Sequence, residues 1–118
     1  MRRPTSKLRS VYISGPMTGL PDLNHPAFLR LEKIWRKWGW TVANPVTINP
    51  ANAHSDLTPE EVRAVCIWTD LEAVRDTDAL VLMRGWERSI GARAEVYLAR
   101  SLNHPIFDAV TCEMLTIE

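Results

Sequence analysis

The chain has 118 residues, 46% hydrophobic and 24% charged, a balance that predicts a single globular domain over residues 1–118. Lys plus Arg number 14, as do Asp plus Glu, which argues against nucleic acid or a membrane surface as the main partner. No segment has the length and apolarity of a bilayer span or a signal peptide, Cys66 and Cys112 lie outside metal-ligand spacing, and the histidines are single, so the expectation is a cytoplasmic protein with reduced thiols, no metal and no cofactor.

In chain order, residues 8–14 are rich in β-branched and aromatic types and end at Gly15-Pro16, which predicts a strand running into a tight turn. The loop that follows, residues 17–24, carries Gly19 and Pro21. A first strand ending in a Gly-containing loop is a common place to hold phosphate or sugar oxygens, and equally a simple connection. His25-Pro26 opens a helix with Ala27, Leu31, Ile34, Trp35 and Trp38 on one face. Gly39 stops it and Trp40 folds back on it, so Trp35 and Trp38 read as core anchors.

Residues 40–43 predict a second strand, and 46–57 an irregular loop that covers a site or merely connects. Thr58-Pro59-Glu60-Glu61 is a helix start with a capping box. The helix is expected to run to about Arg75 and to bury Val62, Val65, Cys66 and Thr69, leaving Asp70 and Asp76 as surface charges. Residues 78–83, an apolar run opened by Asp78, fit the centre of a parallel sheet. A polar turn with Trp86 leads to a helix capped by Ser89, on which Gly91 and Glu95 share a side. The Glu95 carboxylate is expected to lean over the bare Gly91 surface. No Lys or Arg stands four residues away to pair with it, which leaves a catalytic acid or an ordinary surface acid. Residues 104–107 form a last short strand, and 108–118 a loosely specified tail. The alternation predicts an α/β, doubly wound, flavodoxin- or Rossmann-like three-layer fold with a parallel sheet of four to five strands.

Three segments together resemble the nucleoside 2-deoxyribosyltransferase superfamily: residues 11–28 with Tyr12, Gly15 and Asn24, residues 40–45 ending in Asn-Pro, and residues 78–95 ending in Glu95. The resemblance spans roughly residues 8–107 and is closest to a small branch of uncharacterised proteins often found in phages and prophages. It implies an N-glycosidic enzyme on (deoxy)nucleosides or nucleoside 5′-monophosphates, a 2-deoxyribosyl hydrolase or transferase retaining configuration through a covalent glycosyl-Glu95 intermediate. Tyr12 orients Glu95, and Asp78 lies at the site as a base contact or acid assistant. At a helix mouth the dipole would favour the ionised nucleophile.

Ser14, Gly15, Met17, Asn24, Trp86, Ser89 and Gly91 are the expected substrate-binding positions; by the same resemblance Gly15 lets the loop approach the ligand. Trp86 stacks on the base or belongs to the core, the two readings standing even. Ser89, where the transferases often carry an acid, resembles the branch that hydrolyses deoxynucleoside monophosphates. Arg84, Arg88 and Arg93 are then possible phosphate contacts. Arg93, where relatives often carry Gly, narrows the site, contacts phosphate or points to solvent. The implied partners are a small-molecule nucleoside or nucleotide and further copies of the chain, as a homodimer or larger homo-oligomer. The alternative is a non-catalytic nucleotide-binding sensor or interaction module on the same fold.

Overall fold

Four strands, β1 (Ser10–Ser14), β2 (Thr41–Ala43), β3 (Ala79–Leu82) and β4 (Ile106–Asp108), pair in parallel in the order β2-β1-β3-β4. The computed structural model describes residues 9–49 and 56–117, so the basic N-terminal stretch, residues 50–55 of the irregular loop and the last residue of the tail lie outside it. The helices are α1 (His25–Lys37), a short α2 (Pro45–Ile48), α3 (Pro59–Asp76) and α4 (Ile90–Ser101). This is the predicted α/β fold, with four strands.

Side chains alternate across a strand, and that alternation divides the core in two. Val11, Ile13, Ala79, Val81, Met83 and Phe107 face α1, whose Phe28, Leu31 and Trp35 are buried against them. Tyr12, Leu80, Leu82 and Ile106 face the other way, onto Val74 of α3 and Val96 and Ala99 of α4. Trp35 anchors the first layer, its ring 5.4 Å from that of Trp38, 5.2 Å from Trp40 and 5.7 Å from Phe107. Gly39, at φ +94°, takes the left-handed conformation that stops α1, and the Trp40 amide returns to the Trp35 carbonyl.

Three expectations need correction. The irregular loop begins with α2, because Asn44 caps it by accepting from the Val46 amide while donating to the Phe28 carbonyl and Glu32. The capping box of α3 is present, yet Val62, Val65, Cys66 and Thr69 are only half-buried, and Val74 is its one fully buried residue. That helix is apolar on its outer side too, so hydrophobic spacing does not grade how deeply each side is buried. The tail is not loose throughout: Met114 bridges to Phe107, and the Leu115 amide donates to the Ile106 carbonyl.

Candidate active site

In a strand, residues two apart share a face, so Tyr12 and Ser14 stand side by side toward α3 and α4. In α4, Ala92, Glu95, Val96 and Ala99 form the inward stripe. The two patterns meet at Glu95. The Tyr12 hydroxyl donates to Glu95 Oε2 at 2.6 Å, and the Ser14 hydroxyl donates to Oε1 at 2.6 Å. Tyr12 and Ser14 are fully buried and Glu95 is 7% exposed. Chain connections depart in opposite directions from β1 and β3, so the crevice between their carboxyl ends is the topological switch point where ligands of such folds bind.

Burial dominates the electrostatics. It pushes the Glu95 carboxyl up from 4.5 to about 7, although the hydrogen bonds from Ser14 and Tyr12 pull the other way. This reverses the expectation of a dipole-favoured carboxylate. Glu95 lies in the second turn of α4, beyond the first turn where the dipole acts strongly, and desolvation outweighs it. The Tyr12 phenol is pushed well above 10, by burial first and by Glu95 next.

A second acid joins them. Asp70 of α3, assigned to the surface from sequence, interacts with the Tyr12 hydroxyl and accepts a hydrogen bond from Asn49 Nδ2 at 2.7 Å. Burial pushes it up from 3.8 to about 6, against those two hydrogen bonds. A signal was available: Asp70 precedes the fully buried Val74 by four residues, on the same side of the helix.

Asp78 is the opposite case. It precedes β3, at the amino edge of the sheet, where its Oδ2 accepts from the Arg9 amide at 2.9 Å and from the Ser10 amide and hydroxyl, each at 3.0 Å. The Arg9 amide first, and Ser10 with it, hold its carboxyl below the ordinary range. The strand-opening acid therefore ties β1 to β3 and is not brought to Glu95.

The remaining positions separate by what they touch. Gly15 is required by packing, since a Cβ there would sit 2.7 Å from Met83 Cβ and Cε. Met17 packs on the α1-side core, and Asn24, at φ +62°, clamps the first loop by donating to the Pro16 carbonyl at 2.9 Å. Ser89 Oγ caps α4 by accepting from the Ala92 amide at 3.1 Å. Gly91 is exposed, and apart from its own stretch of helix no atom of the described residues lies within 4 Å of where a Cβ would be. Glu95 leans toward β1 and leaves Gly91 bare to solvent.

Trp86 is half-buried against the cluster that contains Tyr12 and also lines a shallow groove of about 290 Å³ with Met83, Arg84 and Asp108. Arg84 is paired there with Asp108 at 3.5 Å, while Arg88 is exposed beside Gly85. Arg93 is exposed on α4, two residues from the buried Glu95 and so across the helix from it. It does not narrow the acid cluster. Among the described residues, no group of three or more His, Cys, Asp or Glu could hold a metal ion.

A family model described as a domain of unknown function, DUF4406, matches residues 9–108. The chain belongs to this family. No curated protein matches the chain. Among solved structures, the DUF4406 chain is similar to one reported for the characterization of 2-deoxyribosyltransferase from the psychrotolerant bacterium Bacillus psychrosaccharolyticus. The two share 20% identity with a TM-score of 0.65, over 91% of this chain and 77% of that one. It is similar also to BlsM, solved in solution, at 27% identity and a TM-score of 0.60, over 87% of this chain and 65% of that one. A conserved protein from Enterococcus faecalis aligns at 21% identity and a TM-score of 0.61, over 86% of this chain and 62% of that one. This chain thus spans less than two thirds of the length of the last two. The likeness establishes a shared α/β fold.

Proposed function

We propose that this DUF4406 protein cleaves N-glycosidic bonds of (deoxy)nucleosides or nucleoside 5′-monophosphates, as a hydrolase or transferase. The observation that carries the reading is the buried Glu95 carboxyl, held by two hydroxyls at 2.6 Å each at the switch-point crevice, with Asp70 meeting the same Tyr12 hydroxyl. In the first step a Glu95 oxygen bonds to C1′ while the N-glycosidic bond breaks, its electron pair leaving on the base nitrogen. Asp70, with a value of about 6, is the carboxyl assigned to protonate that nitrogen. In the second step water, or another base, bonds to C1′ and expels the Glu95 carboxylate, its proton passing to Asp70. Two displacements return the original configuration. Tyr12 and Ser14 orient the carboxylate and favour its ionised form against burial. Arg88, exposed in the turn ahead of α4, is the cation assigned to a 5′-phosphate.

Chromatography of free base released from a panel of (deoxy)nucleosides and their monophosphates tests this, with Glu95→Gln as control. Release by the wild type and its loss, by at least about a hundredfold, in the variant are expected. Equal rates in both would overturn the nucleophile assignment. Ligand-induced thermal stabilisation with no release from any member would instead favour the binding module. A second free base separates the two reactions, because only a transferase yields the exchanged nucleoside.

A further inference from the structure

The short helix α2 ends at Asn49, and the end is closed by the main chain. The Asn49 backbone amide donates to the Pro45 carbonyl at 3.1 Å, so the helix makes no use of its side chain. That side chain crosses to α3 instead, where Nδ2 donates to Asp70 Oδ1 at 2.7 Å. Two contacts fix the point it reaches from. Asn44 ties the start of α2 to Phe28 and Glu32 of α1, and Ile48 packs on the cluster that contains Tyr12.

Asp70 needs such a donor because of how hydrogens are counted at Tyr12. A phenol carries one hydrogen, and the Tyr12 hydroxyl, which both acids meet, gives it to Glu95 Oε2 at 2.6 Å. Toward Asp70 the same oxygen can then only accept. The other groups facing Asp70 bring no positive charge. Glu95 of α4 repels it, and Cys66, one turn earlier on α3, has a thiol pushed up by burial and by Asp70 itself. Among the described residues no Lys or Arg forms an ion pair with Asp70. Without Asn49, an ionised Asp70 would compete for the Tyr12 hydrogen, and Glu95 would lose a bond that favours its ionised form. With Asn49 on Oδ1, the Tyr12 hydrogen stays on Glu95 and Oδ2 of Asp70 is left to carry a proton.

We infer that Asn49 is a positioning residue for the acid: its amide fixes the Asp70 carboxyl by Oδ1 and leaves Oδ2 to exchange the proton with the base nitrogen. The exchange rests on the N-glycosidic reading; the hold on Asp70 does not.

Side chains of nearly one shape test the inference at position 49: the wild-type donor, Asn49→Leu with no polar group, and Asn49→Asp with only acceptors, each verified as folded by far-UV circular dichroism. Carbon-13 NMR of labelled Asp carboxyls, with Asp70 assigned by the signal lost in Asp70→Asn, follows its titration without any need of turnover. Asp70 is expected to titrate near 6 in the wild type and roughly half a pH unit or more higher in Asn49→Leu. The upper step of the new carboxyl pair in Asn49→Asp should lie higher still. The lower limb of the kcat/KM profile should rise in the same order, with kcat at the optimum down on the order of tenfold and KM nearly unchanged, a pattern that a merely structural residue does not give. An Asp70 titration indifferent to Asn49→Leu in the folded variant overturns the inference. So does a shifted titration with an unmoved lower limb in an active enzyme. A shifted titration in a protein whose wild type releases no base overturns the N-glycosidic reading and leaves the hold of Asn49 on Asp70 standing.

Discussion

Replacing Glu95 by Gln is expected to stabilise the protein at alkaline pH while abolishing turnover. The buried carboxyl holds its proton to about 7, against an ordinary value of 4.5. Between those values the native state binds more protons than the unfolded chain, so stability is greatest below the lower value and is lost as pH rises through the upper one. At about 1.36 kcal/mol per pH unit, the full term is on the order of 3 kcal/mol at pH 8 and roughly 1 kcal/mol at pH 5. Gln keeps the shape, offers one carbonyl oxygen to the Tyr12 or Ser14 hydroxyl, and has no charge to desolvate. Urea unfolding of both proteins at pH 5 and pH 8 isolates the term, because solvent and chain length cancel in the difference. The variant should gain roughly 2 kcal/mol more at pH 8 than at pH 5, and on the order of 10 °C in midpoint temperature at pH 8. A gain that is the same at both pH values would refute the claim that desolvation of Glu95 dominates.

Activity should follow a narrow bell in pH, with apparent values near 6 and 7, since the reaction needs one carboxyl ionised and the other protonated; the kcat/KM profile reads it. Tyr12→Phe removes a hydrogen bond that lowers the Glu95 value, so the profile should move to higher pH and its maximum should fall on the order of tenfold or more. Asp70→Asn is expected to lower turnover by at least about a hundredfold with little change in fold, whereas Asp78→Asn should cost about 1 kcal/mol in stability and leave turnover unaltered. Equal losses of turnover in those two variants would contradict the assignment of the acids to opposite edges of the sheet. Gly15→Ala should destabilise by about 1–3 kcal/mol, measured by urea unfolding, because the new methyl meets Met83 Cβ as well as the movable Cε.

Much of the fold was legible because several independent signals agree. The apolar run of β3, the Gly39 stop and the Thr58 capping box each name an element end or type, and alternation with helices forces a parallel sheet. The inner face of α3 was legible in its direction but not in its depth: Val62, Val65, Cys66 and Thr69 do lie on the less exposed side, yet only half-buried. Ala64, Ile67, Trp68 and Leu71 make the outer side apolar as well, so hydrophobic spacing does not grade how deeply each side is buried. Asp70 stands four residues after Cys66 and four before Val74, on that inner side, and was passed over because an acid late in a helix reads as solvated. Asn44 escaped as well: a buried Asn that joins α1 to α2 looks, in sequence, like any residue ahead of a proline.

The two acids Asp70 and Asp78 show where resemblance and geometry part. A residue that opens a parallel strand sits at the amino edge of the sheet, while the crevice lies beyond the carboxyl ends. Sheet direction alone therefore removes Asp78 from the site, before any side chain is placed. It also explains its low-lying carboxyl, which the amides of Arg9 and Ser10 keep ionised as a tie between neighbouring strands. Asp70 meets the opposite conditions, with burial, a Tyr12 contact and a raised value. One acid is held toward its ionised form and the other is poised to exchange a proton. The same residue type, eight positions apart, has been given a structural duty and a chemical one by nothing more than which end of the sheet it faces.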